Sequence, residues 1–150
     1  MVTESVTRRP WQLHKRVLPQ HTDHGGVMWH GAYVGWLEEA RVEALAAVGL
    51  PYQQIADEGL EMPVVHLQMV YKKALFHGEQ VVIESESLAP EGPRWRWKTR
   101  FLRSTGDCAF EALIDLVLVR LEGERRRILR YPPSFIASAL DLLTRGPIQT

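Results

Sequence analysis

The stretch HTDHGGVMWHGAYVGWLEEARVEALAAVGLP, residues 21–51, changes period partway along and decides the fold. Its first part is a turn. Thr22, Asp23, Gly25 and Gly26 are turn formers, and two adjacent glycines let the backbone fold sharply and come close to a ligand. From Gly31 the pattern switches: Val34, Leu37, Ala40, Arg41, Ala44, Leu45 and Val48 recur at threes and fours, with Glu38, Glu39 and Glu43 mostly on the other side. That spacing predicts an amphipathic helix over 31–48, stopped by Gly49 and Pro51. At about five turns it is long enough to lie across a sheet.

Upstream, WQLHKRVL (11–18) alternates apolar and polar residues and reads as a strand ending at Pro19, while the polar residues 1–10 read as a flexible lead. Downstream, a short helix is expected over Tyr52–Glu58, closed by Gly59. Four β-type runs follow: MPVVHLQMVYKK (62–73), EQVVIESESLA (79–89), RWRWKTRFLRS (94–104) and CAFEALIDLVLVRL (108–121). His77-Gly78, Pro90-Glu91-Gly92-Pro93 and Ser104-Thr105-Gly106-Asp107 separate them as turns, the last two short enough for antiparallel hairpins. YPPSFIASALDLLTRG (131–146) predicts a terminal helix from near Pro133. With no repeat and no linker, residues 1–150 read as one α+β domain, an antiparallel sheet served by one long helix.

Composition narrows the function. The chain has 150 residues, 45% hydrophobic and 24% charged, which is globular and leaves room for one core. Eighteen basic residues balance eighteen acidic ones, which counts against coating nucleic acid or an anionic membrane and tolerates self-association. Cys108 is alone, so no internal disulfide and no cysteine-based zinc site can form, and a reducing, cytoplasmic setting is expected. The first residues, MVTESVTRRPWQLHKR, lack the apolar region of a signal peptide, and no run approaches the roughly 20 apolar residues of a bilayer span.

One strand carries a further signal. Trp95, Trp97, Thr99 and Phe101 share a face suited to a core, and Arg94, Arg96, Lys98 and Arg100 share the other, suited to solvent or to an anion.

The chemistry concentrates in residues 21–33. A helix starting near Trp29–Ala32 leaves its first amide N–H groups without partners, and those donors stabilise negative charge developing on an acyl carbonyl. Asp23 is the only carboxylate in this loop, and His21, His24 and His30 add imidazoles, a side-chain type suited to proton transfer. The residues alone leave Asp23 open between a turn cap and a catalytic group.

TDHGGVMWHGAYVGWLEEARVEAL resembles the signature of the 4-hydroxybenzoyl-CoA thioesterase-like family of hotdog-fold acyl-CoA thioesterases, with Thr22, Asp23, Gly26, Tyr33, Glu38 or Glu39, Arg41 and Glu43 matching. VYKKALFHGEQVVIES and YPPSF resemble later blocks of the same family in the same order. Two positions depart: His21 stands where an acid is common, and Gly78-Glu79 replaces Gly-Asp.

The resemblance implies a hotdog fold and hydrolysis of an acyl-CoA, aromatic or short-chain, to a free acid and CoA. Asp23 would act as nucleophile or as general base, with the amide of His30 at the carbonyl and its ring orienting water or the carbonyl. Gly26, Met28, Trp29 and Tyr33 would shape the substrate site, with Trp36 as further stacking surface and core packing the competing role for Met28. A partner subunit's second strand would complete it, making Val65, His66 and Gln68 candidates. Lys72, Lys73 and some of the basic row at 94–100 are candidate phosphate contacts. No cofactor and no metal is called for, since CoA arrives as part of the substrate. A homodimer is the expected minimum and a homotetramer the expected assembly. A hotdog dehydratase or hydratase, and a non-catalytic acyl-CoA or nucleic-acid binding module, are the competing functions.

Overall fold

The computed structural model describes residues 9–147; the flexible lead expected over 1–10 lies mostly outside them. The alternating segment at the start forms β1 (Trp11–Arg16), and the predicted long helix forms α1 (His30–Ala47). Then come α2 (Tyr52–Asp57), β2 (Leu60–Glu61), β3 (Val64–Tyr71), β4 (Gln80–Glu91) and β5 (Arg94–Arg103). The chain closes with β6 (Cys108–Val117), β7 (Val119–Glu122), β8 (Arg125–Ile128) and α3 (Ser134–Arg145). Five strands make an antiparallel sheet in the order β1-β4-β5-β6-β3.

The strand register explains the core. Leu13, Ile83, Phe101, Phe110 and Tyr71 are aligned across the five strands, and α1 lies over this row. Tyr33 stacks on Phe101 with ring centroids 5.6 Å apart and planes 6° apart, and Trp36 packs on the same ring at 5.7 Å. The next row holds a polar pair inside the core, Ser85 Oγ to Thr99 Oγ1 at 3.0 Å. Trp95, Trp97, Thr99 and Phe101 are all buried, as their parity predicts, and the basic residues between them face outward. Burying each large apolar side chain of this core contributes roughly 1.5–3 kcal/mol.

Two expectations are corrected. The run 108–121 is not one strand: β6 stops at Val117, and β7 joins a second, three-stranded sheet in the order β2-β7-β8. Residues 114–119 are all buried, so the alternation of a half-buried strand is lost and the chain leaves the main sheet there. The hairpin β7-β8, absent from the expected order, turns at Gly123 with φ 63°, a left-handed conformation that glycine adopts freely.

Candidate active site

The segment between β1 and α1 folds into a short ribbon. Thr22 bridges Met28 across it, Trp29 N–H donates to the His21 carbonyl at 3.1 Å, and the turn residue Gly26 has φ 80°. The ribbon is pinned to the approach to β4, where Met28 N–H donates to the Leu75 carbonyl at 2.8 Å and His77 N–H to that of Gly26 at 3.0 Å.

Asp23 organises the tip. Its Oδ1 accepts from the N–H groups of Gly25 at 2.8 Å and Val27 at 3.2 Å. Among the described residues Oδ2 has no partner, and the side chain is exposed. The turn-capping role and the catalytic role are therefore compatible: one oxygen anchors the carboxylate and the other is left to a substrate or water.

α1 begins at His30 with no side-chain cap. The N–H groups of His30 and Gly31 take no partner among the described residues, so they and the positive end of the helix form a donor pair. Trp29, 46% exposed, folds back over this start; a Cβ at Gly31 would overlap its ring. His21 accepts from Leu18 N–H at its Nδ1 (3.0 Å) and sets its edge on Trp36. Burial pushes its pKa below the ordinary value, the nearby Lys15 adds to this, and Glu39 opposes it.

The other nominated residues divide. Met28 (4% exposed) and Tyr33 (3%) are core residues in the single chain, as is Trp36. Burial, then Tyr71, pushes the Tyr33 hydroxyl up to about 12, so it stays protonated. Val65, His66 and Gln68 lie exposed on β3, the edge of the sheet. Lys72 is paired with Glu111 and Lys73 with Asp107, each at 3.0 Å, and the two carboxyls are held below the usual range by these lysines.

The basic row is largely neutralised as well. Arg94 and Arg96 share Asp115, and Arg100 meets Glu84, leaving Lys98 as the row's member without an ion pair among the described residues. Ion pairing to acids on neighbouring strands, invisible in the alternation of one strand, accounts for this. Residue spacing also gave no functional weight to Arg41. It is 6% exposed, and its Nε lacks a partner; its place in the apolar stripe of α1 was the available signal. Among the described residues no group of three metal-ligating side chains converges, and no helix is long and apolar enough to cross a membrane.

One long helix laid on an antiparallel sheet, with its bare start beside a glycine-turned carboxylate, is the layout of a hotdog domain and of the enzymes that act on thioesters. The chain belongs to the thioesterase-like superfamily, whose family model matches residues 17–139. A Synechocystis protein provisionally named an esterase is 33% identical over 138 residues, 91% of this chain and 82% of that protein. A Bacillus subtilis protein provisionally named an acyl-CoA thioesterase is 33% identical over 64 residues, 43% of this chain and 46% of its own length. The crystal structure of a DHNA-CoA thioesterase from Staphylococcus aureus superposes with a TM-score of 0.75 at 25% identity, covering 85% of this chain and 86% of that one.

Proposed function

We propose that this chain is an acyl-CoA thioesterase that hydrolyses its substrate to a free acid and CoA, with Asp23 as the catalytic carboxylate. The observation that carries the reading is that one segment supplies both an Asp23 oxygen and two donor N–H groups at the start of α1 that have no partner among the described residues. The thioester oxygen sits at the His30 and Gly31 amides, where charge developing in the tetrahedral intermediate is stabilised without reorganisation. Asp23 then attacks the carbonyl and the CoA thiolate leaves, giving a mixed anhydride that water hydrolyses to the free acid, or Asp23 takes a proton from a water that attacks the carbonyl and displaces the CoA thiolate. The His30 ring lies beside the carbonyl, and Gly26 and Trp29 line the approach. No cofactor or metal takes part.

Asp23→Asn keeps the acceptor oxygen that caps the turn and removes the charge. Free-thiol release is expected to fall by about 10²–10⁴-fold with the melting temperature little changed; turnover at the wild-type rate would remove Asp23 from the mechanism. Rapid-quench trapping separates the two roles, since only the nucleophilic route forms a covalent acyl–Asp23 anhydride.

Aromatic and short-chain acyl groups are the proposed substrates, supported by the exposed indole of Trp29 and by the DHNA-CoA thioesterase among the structural relatives. The working unit is a homodimer joined along β3, with Val65, His66 and Gln68 of the second copy reaching the site and a homotetramer as the full assembly. It acts in the cytoplasm, with neither membrane nor nucleic acid as partner.

A further inference from the structure

The block YPPSF (131–135) lies away from the Asp23 loop, and its Tyr131 and Pro132 border a cavity of about 270 Å³. Trp95 at the start of β5, Val117 and Leu118 at the end of β6, and Met62 form its buried wall, each no more than 7% exposed. Ile136 and Leu140, four residues apart and so on one face of α3, form another. Pro90, Pro93 and Pro132 also line it, and their fixed φ holds its sides in place without an occupant. A preformed apolar hollow with a few polar groups is the usual form of a small-molecule site.

The lining sets what that molecule is. Trp95 offers it ring carbon alone, because its Nε1 already donates to Ser87 Oγ at 2.7 Å. Among the described residues the charged members of the lining are Arg94 and Arg130, and no acidic residue joins them. Both arginines are exposed and so stand at the open side. Arg94 spends Nη1 on Asp115 at 3.1 Å and keeps other donors, while Arg130 enters no ion pair among the described residues. An occupant that matches this lining has an apolar body and one negative end. An apolar cavity of about 150 Å³ holds benzene, so the space here takes a ring together with a carboxylate. Trp95, and Tyr131 at 78% exposed beside the opening, favour an aromatic body over an aliphatic one through ring-to-ring contact.

We infer that this cavity binds a free aromatic carboxylic acid, its ring among Trp95, Leu118, Ile136 and Leu140 and its carboxylate on the guanidinium of Arg130. The inference goes beyond the thioesterase reading and stands without it, since the ligand follows from the lining alone. The site is separate from the Asp23 loop of the same chain. The cavity lies where β5 starts and β6 ends, whereas the ribbon of Asp23 is pinned to residues 75–77, beyond the end of β3. β3 pairs antiparallel with β6, so the eight residues of β3, roughly 26 Å, separate the two.

The test titrates the ¹⁵N-labelled full-length protein with benzoate, with octanoate, which keeps the charge on an aliphatic body, and with benzyl alcohol, which keeps the ring without the charge. Benzoate should give saturable shifts at the Trp95 indole N–H and at the amides of residues 129–140. Arg130→Gln replaces an exposed residue, so its melting temperature should be unchanged. It should bind benzoate about tenfold or more weakly, since a charge-assisted hydrogen bond is lost, and benzyl alcohol as the wild type does. Leu140→Trp should fill the cavity and exclude both, and Asp23→Asn should bind benzoate normally. The absence of saturable shifts at the cavity, shifts confined to residues 21–33, or a benzoate affinity that neither Arg130→Gln nor Leu140→Trp lowers would overturn the inference. Octanoate binding more tightly than benzoate would overturn the aromatic assignment. Thiol release bears on the thioesterase reading alone: full turnover by Asp23→Asn sinks that reading and leaves the cavity untouched, and a cavity that takes no benzoate leaves Asp23 untouched.

Discussion

At the scale of single residues, His21 links the chemistry of the loop to pH. Its Nδ1 accepts the Leu18 N–H, a bond available only to the unprotonated nitrogen. Its pKa lies below the ordinary 6.5, lowered first by burial and then by Lys15 across from Glu39. A depressed value means that the folded loop disfavours the proton, so the stabilisation is present above 6.5 and is lost as pH falls through the lowered value. Melting temperature should therefore drop between about pH 7.5 and about pH 5.5, and the drop should shrink in His21→Asn, whose amide oxygen can accept the same N–H without titrating. An equal drop in both proteins would place the pH sensitivity elsewhere.

Gly31 makes a second demand at this scale. Its missing side chain is what lets the Trp29 ring lie over the first turn of α1. Gly31→Ala should improve helix propensity by up to about 1 kcal/mol and yet displace the indole. The expected signature is a shifted Trp29 fluorescence with a raised KM for aromatic thioesters. An unaltered KM would mean that the indole does not line the acyl site.

Elements show why parts of the fold were legible and parts were not. α1 was readable because its apolar period runs uninterrupted from Val34 to Val48, and β5 because its aromatic and basic residues alternate strictly. The hairpin β7-β8 was hidden by continuity: CAFEALIDLVLVRL reads as one apolar run, and periodicity carries no sign of a chain passing from one sheet to another at Leu118. The site shows the same division. The loop and the helix start were placed by local signals, whereas the ion pairs that occupy Lys72, Lys73 and Arg100 depend on register between strands. Register has an energetic consequence as well. Ser85 on β4 and Thr99 on β5 satisfy each other inside the core, so Thr99→Val should strand the Ser85 hydroxyl and cost about 1–3 kcal/mol. Ser85→Ala/Thr99→Val should recover most of that loss in denaturant unfolding. A double variant no more stable than Thr99→Val would show that the pair is not the unit of stability.

At the scale of the whole molecule, the edge strand β3 lies open, with Val64, Val65, Leu67, Val70 and Tyr71 exposed, and the ribbon that carries Asp23 is hydrogen-bonded to residues just beyond the end of that strand. On the proposed reading, two copies joined along β3 cover this edge, and Val65, His66 and Gln68 of each copy reach the Asp23 loop of the other. A charge set into the strand works against that pairing while leaving the core of each chain untouched. Leu67→Lys should therefore yield folded monomers by light scattering, with thiol release lost; a fully active monomer would refute the shared site.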